Sequence, residues 1–177
     1  SPLPLTQRRA TRLVMTQQAL NRLRIAVAQL NPIVGDVDGN LELARDARRQ
    51  AAAAGADLVL FTELFIAGYP PEDLVLKPSF LRECERAARE LVADTADGGP
   101  GVLIGTPLKR ASGIHNSVLA ADGGNVIAEW HKSDLPNYGE FDEKRVFQEG
   151  PALSGPMNFR GVRIGVPICE DIWGDLG

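Results

Sequence analysis

Three side chains far apart in the sequence are of reactive types suited to nucleophilic catalysis. Cys169 closes the apolar run VRIGVPI and stands directly before Glu170 and Asp171 in GVPICEDIW; Glu63 lies in TELFIAGYP, and Lys132 follows NVIAEWH. A thiol can act as a nucleophile and a carboxylate as the base that activates it, and an ammonium adds a third reactive group. Taken singly, none of the three is decisive. A cysteine in an apolar strand more often packs as an inert small hydrophobe, and a strand-end glutamate or lysine is more often a solvated loop residue. Their shared placement is the stronger signal, because each falls just past the carboxyl end of an expected strand, the edge where active sites of open α/β sheets collect. Leu64, Phe65 and Ile66 would desolvate the Glu63 carboxylate and suit it to base work. Backbone N–H groups of a turn through Glu170, Asp171 and Ile172 would lower the Cys169 thiol pKa and bind a developing oxyanion. Cys84, between charged residues in FLRECERAARELV, has no such setting.

The elements that must position these groups are legible from periodicity and breakers. RIAVAQL, bounded by Pro32 and Gly35, reads as a strand. Residues 40–54 place Leu41, Ala44, Ala47, Ala51 and Ala54 on one helical face with arginines opposite and Gly55 as the stop. DLVLFTE is a second strand, parallel to the first through a strand–helix–strand unit. A second helix runs over 78–95 with Pro78 in its first turn, and GVLIGTP is a third strand. IHNSVLAA and NVIAEWH flank Asp122, Gly123 and Gly124 as an antiparallel hairpin, and VRIGVPI is a last strand ending at Cys169.

The 177 residues allow one globular domain. A formal charge of −4, with Lys and Arg dispersed among more acids, argues against a nucleic-acid partner, and no apolar run approaches the roughly eighteen residues needed to cross a bilayer. Two cysteines are too few for a disulfide scaffold, which favours a reducing cytoplasm, and two histidines without partnered cysteines give no zinc pattern. The opening segment, residues 1–22, carries Arg8, Arg9 and Arg12 without an acid and is expected to be a flexible arm or an added stretch ahead of a natural start near Met15, with a transit peptide as the alternative. Residues 23–177 form the expected domain.

Three separated stretches, TELFIAGYPPEDL, HKSDLPNYGEFDEKRVF and GVPICEDIW, resemble the nitrilase superfamily, and within it the glutaminase domain at the amino end of bacterial glutamine-dependent NAD synthetases. The resemblance runs from about Arg24 to Gly174 and implies an α/β fold, the amino-terminal part of a nitrilase-type α-β-β-α sandwich. It implies Cys169 as nucleophile, Glu63 as general base, Lys132 as the stabilising cation and Glu140, eight positions after Lys132, as a second supporting glutamate. It further points to Tyr138, Phe141 and Glu170 for glutamine recognition, with ordinary loop packing as the alternative. No metal or cofactor is implied for this stretch. ATP, magnesium and deamido-NAD belong to a synthetase domain that follows in the family, and no GxxxxGK[ST] string occurs here.

Two other readings stay open at this stage. A free-standing amidase or carbamoylase would use the same three residues, and a non-catalytic fragment would be kept for an interface. The chain ends eight residues after Cys169, so sheet surface that the family covers with later strands leads us to expect a homo-oligomer.

Overall fold

The computed structural model describes residues 22–151 and 155–173. The expected arm therefore lies outside the described residues save for Arg22. Seven strands and two long helices follow in the order β1 (Ile25–Ala28), α1 (Val37–Ala53), β2 (Leu58–Phe61), α2 (Pro78–Asp94), β3 (Gly101–Arg110), β4 (Gly113–Asp122), β5 (Asn125–His131), β6 (Met157–Phe159) and β7 (Val162–Ile164). The first five make one sheet in the order β1-β2-β3-β4-β5. β1, β2 and β3 run parallel, and β4 and β5 continue antiparallel.

Helix α1 begins three residues before the apolar periodicity does. Asp36 caps it, its Oδ1 accepting from the Gly39 N–H at 3.1 Å. Asn40 is thereby drawn inside the first turn, where it is buried and bonds the Ile33 backbone on both sides and the Ile66 carbonyl. The arginines of α1 do not all face solvent as expected. Arg48 is buried because its guanidinium donates to the Pro100 carbonyl at 2.8 Å and pairs with Asp97, whose carboxyl is held down to about 2. Helix α2 spans nearly the expected range, and Leu81, Cys84, Ala87, Ala88, Leu91 and Val92 form its buried stripe.

The two faces of the sheet are covered differently. Both helices lie on one face, where Leu41, Ala44, Leu91 and Ala88 pack on Val59, Phe61, Val102 and Ile104. The other face carries Leu58, Leu103, Ala120 and Trp130 under Met157 and Phe159 of the β6–β7 pair. Burying the apolar side of each layer against its neighbour is what fixes this helix–sheet–sheet stacking. The hairpin turn is the expected one, with Gly123 and Gly124 both at positive φ.

The last strand differs from expectation. VRIGVPI forms a ladder only over Val162–Ile164, pairing with β6 in a separate two-stranded sheet, and Gly165–Ile168 continues extended without ladder partners among the described residues. Cys169 therefore sits on a segment leading away from a strand and not at the end of a strand of the main sheet.

Candidate active site

The Glu63 segment is placed by a close backbone approach. β2 ends at Phe61, and residues 63–67 coil directly over Gly105 of β3. A Cβ at Gly105 would lie 2.5 Å from both the Leu64 nitrogen and the Thr62 oxygen, so only glycine lets the chain pass there. The Ile66 N–H donates to the Gly105 carbonyl at 3.1 Å, and Leu64, Phe65 and Ile66 are fully buried. Those three side chains enter the core clusters, while the Glu63 carboxylate meets polar partners, Asn116 and Lys132.

Lys132 is the residue after β5 and has no solvent exposure. Its Nζ donates to Glu63 Oε1 at 2.8 Å and to the two oxygens of Glu143 at 2.9 and 3.0 Å. Burial works against the ammonium, but the hydrogen bonds to Glu63 and Glu143 and their charges outweigh it and raise the Lys132 pKa, so the lysine stays cationic. Glu143 is raised by burial, with the Glu63 charge adding to the effect and Lys132 opposing it. Asn116 of β4 completes the cluster. Its Nδ2 donates to the same Glu63 Oε1 at 2.6 Å, and its carbonyl accepts from the Lys132 N–H at 2.8 Å.

Cys169 opens a short 3₁₀ turn, Cys169–Ile172, and has φ of 47°, a left-handed conformation uncommon for a residue with a side chain. Asp171 holds this corner. One carboxylate oxygen accepts from the Ile168 N–H at 3.0 Å; the other accepts from the Ser133 N–H, the Ser133 hydroxyl and the Asp134 N–H at 2.8 to 3.0 Å. The nucleophile turn is therefore tied to the two residues after Lys132. The thiol lies within the field of the charged cluster. Its pKa is raised, first by desolvation and next by the Glu63 charge, while Lys132 pulls it down. The expectation of a thiol made acidic by the following turn is thus corrected: beside Glu63, the thiol is favoured in its protonated form, which needs a base to activate it. Cys84 is a free, fully buried thiol pushed up to about 12.

The expected recognition residues gather at one exposed rim. The Tyr138 hydroxyl donates to Glu170 at 2.8 Å, and the Tyr138 and Phe141 rings meet edge to face at 5.7 Å. A cavity of about 410 Å³ adjoins them, lined by Tyr69, Glu140, Phe141, Glu143 and Phe147 among others. Glu140 is the sequence-based assignment that fails. It follows Gly139 at the outer tip of the loop and is exposed, whereas Glu143, eleven positions after Lys132, meets the ammonium. The loop folds back so that the Glu143 N–H reaches the Pro136 carbonyl and Phe147 is buried beneath it, which turns the later glutamate inward.

Residues 24–176 match the carbon-nitrogen hydrolase family. The chain belongs to that family. Among curated carbon-nitrogen hydrolase relatives, the glutamine-dependent NAD(+) synthetase of Thermotoga maritima is 42% identical over 154 residues, covering 87% of this chain and 26% of that protein. The glutamine-dependent NAD(+) synthetase of Rhodobacter capsulatus is 45% identical over 153 residues, covering 86% and 27%. Among solved structures, the glutamine-dependent NAD+ synthetase of Acinetobacter baumannii superposes with a TM-score of 0.79 at 35% identity over 85% of this chain and 28% of that one. An amidase from Nesterenkonia sp. AN1, whose structure shows covalent addition of the acetamide moiety of fluoroacetamide at its active-site cysteine, gives 0.74 at 28% identity, covering 85% and 56%. The chain thus spans about a quarter of the length of the synthetases it matches, and its fold is the amino-terminal part of the nitrilase-superfamily fold.

Four residues of this carbon-nitrogen hydrolase site carry no sequence signal that assigns them a role. Asn116 sits in an alternating strand where polar residues look solvated, and only register with β5 shows that it neighbours Lys132. Glu143 carries no local mark to separate it from Glu140. Asp171 is visible as an acid beside Cys169, but its partners lie 37 and 38 positions away. Tyr69, in GYPPED, lines the same cavity as Glu143, and its pKa is pushed up to about 12 by burial and then by the charges of Glu63 and Glu143.

Proposed function

We propose that this chain is the glutamine-hydrolysing part of a glutamine-dependent NAD synthetase. The observation that carries the reading is a thiol, Cys169, within the field of a buried Glu63–Lys132–Glu143 cluster in a chain whose similar proteins are named glutamine-dependent NAD(+) synthetase.

Glu63 takes the thiol proton, and the thiolate attacks the side-chain amide carbon of glutamine. The carbon–nitrogen bond breaks, ammonia leaves with the proton returned by Glu63, and a thioester on Cys169 remains. Water deprotonated by Glu63 then releases glutamate and restores the thiol. Lys132 directs one N–H at Glu63 and one, forked over both oxygens, at Glu143, which leaves a third N–H for the oxyanion of each half-reaction. Glu143 holds that ammonium charged and fixed. Tyr138, Phe141 and Glu170 form the rim that receives the amino-acid end of the substrate.

The ammonia then serves ATP-dependent amidation of deamido-NAD in the remainder of the protein. We assign ATP and magnesium to that remainder. The test is a comparison of nitrogen donors in the full-length protein. Cys169→Ala should lower glutamine-dependent NAD formation by about 10⁴-fold or more while leaving ammonia-dependent formation at the parent rate. Retained use of glutamine would remove Cys169 from the reaction.

A further inference from the structure

We infer that Asn116 is a positioning residue for the general base, fixing which oxygen of Glu63 moves the proton; this rests on the proposed role of Glu63. Oε1 of Glu63 receives both the Lys132 ammonium at 2.8 Å and the Asn116 amide at 2.6 Å. Two donors on one carboxylate oxygen leave Oε2 as the atom available to the thiol. Lys132 alone would not define this, because its charge is shared with Glu143 and an ammonium rotates freely about its stem. A planar amide held in a strand has one direction to donate in.

The environment of Asn116 sets that direction. The residue is 1% exposed, and its own carbonyl accepts the Lys132 N–H, so its backbone is locked to the lysine it works beside. Its Oδ1 has no hydrogen-bond partner among the described residues, and a buried, unpaired acceptor is costly to retain. Turning the amide over would pair nothing, since it would aim an acceptor at a carboxylate and orphan the N–H groups. The carboxylate thus dictates the amide's orientation, and the amide in turn dictates the carboxylate's. The same amide lowers the Glu143 pKa against the larger upward push of burial. His115 and Ser117, the neighbours of Asn116 in β4, point to the other face and engage Ser112, Gln148 and His131, so this side chain is the contribution of that stretch to the site.

The test compares Asn116→Leu, Asn116→Thr and Glu63→Gln with the parent in the full-length protein. It measures kcat and KM for glutamine hydrolysis across pH, thermal stability, and ammonia-dependent NAD formation as a check of folding. Asn116→Leu keeps the volume and loses the donor. Its kcat should fall about ten- to a hundredfold, the span of a hydrogen bond to a charged group, with KM within about threefold and the acid limb of the profile moved to higher pH. Asn116→Thr, which retains a donor, should recover part of that rate. An Asn116→Leu enzyme with the parent rate and profile would overturn the inference. So would one whose loss of rate tracks lowered stability, with an unmoved acid limb and no recovery in Asn116→Thr. A Glu63→Gln enzyme as active as the parent would instead remove Glu63 as the base, a failure of the underlying reading that is separate from the first two results.

Discussion

The buried charged cluster and the exposed rim are built in opposite ways. Lys132 is fully enclosed and Glu143 is 8% exposed, and every charge in the cluster is paired across the sheet. At the rim, Tyr138 is 59% exposed, and the side-chain hydrogen bond between the expected recognition residues, among the described residues, is the Tyr138–Glu170 contact. The cluster must present charge without reorganising during the reaction, so its geometry is fixed by burial and shared hydrogen bonds. In the proposed reaction the rim admits and releases a small polar molecule, which its solvation suits. The Cys169 thiol lies within the field of the cluster, with Glu63, Lys132 and Glu143 acting on it.

Breaking the cluster should have the largest effect. Lys132→Met leaves Glu63 and Glu143 facing each other with no cation between them. Removing one partner of a buried ion pair costs about 3–5 kcal/mol, and chemical denaturation should show a loss of that size together with loss of glutamine hydrolysis. A stability change below about 1 kcal/mol would mean that the cluster is far more hydrated than its burial implies.

A finer cut separates the two glutamates of one loop. Glu143→Gln should lower kcat for glutamine by about 10²-fold, because the ammonium loses the partner that holds it in place, whereas Glu140→Gln should leave kcat within about twofold. Steady-state kinetics on the two variants decide between the inward and the outward residue.

At the rim, Tyr138→Phe removes an exposed hydrogen bond. Stability should stay within about 0.5 kcal/mol of the parent, and the effect should appear as a severalfold rise in KM for glutamine with little change in kcat. A large fall in kcat would move Tyr138 from recognition into the chemistry.

The smallest expected effect concerns the back of the cluster. His131, next to Lys132, stacks on His115 at 4.3 Å and bonds Ser117, with Glu129 and Arg110 nearby. Burial lowers its pKa from the ordinary 6.5, and the charge of His115 lowers it further. The unfolded chain then binds the proton first, so this contribution to stability is complete above about pH 6.5 and is lost as pH falls through the lower, folded value. Melting temperatures measured downward from neutral pH should decline, and His131→Asn should flatten part of that slope.

Legibility in the sequence follows the same division. Glu63 and Lys132 closely follow strands with clear apolar patterns, and Cys169 stands at a visible change of pattern, so local signals suffice to single them out. The parallel β1–β2 pair and the β4–β5 hairpin are legible for the same reason. Asn116 and Glu143 are not, because their roles are set by register across β4 and β5 and by the return path of the loop from Pro136 to Phe147. Glu140 and Glu143 are alike in type and near in sequence; only the turn that buries Phe147 tells them apart. The thiol's proton affinity is misread from the sequence because it depends on a carboxylate 106 positions away and on desolvation, neither of which a local turn reveals.

The most direct test of Cys169 as the nucleophile is the capture of the covalent intermediate. Full-length protein mixed with glutamine, quenched in acid within a turnover and examined by intact-protein and peptide mass spectrometry should carry one γ-glutamyl group on Cys169. The adduct should be released by hydroxylamine as a thioester and be absent from Cys169→Ala. Steady glutamine hydrolysis with an adduct on another residue, or by a Cys169→Ala protein at the parent rate, would contradict the assignment of this thiol.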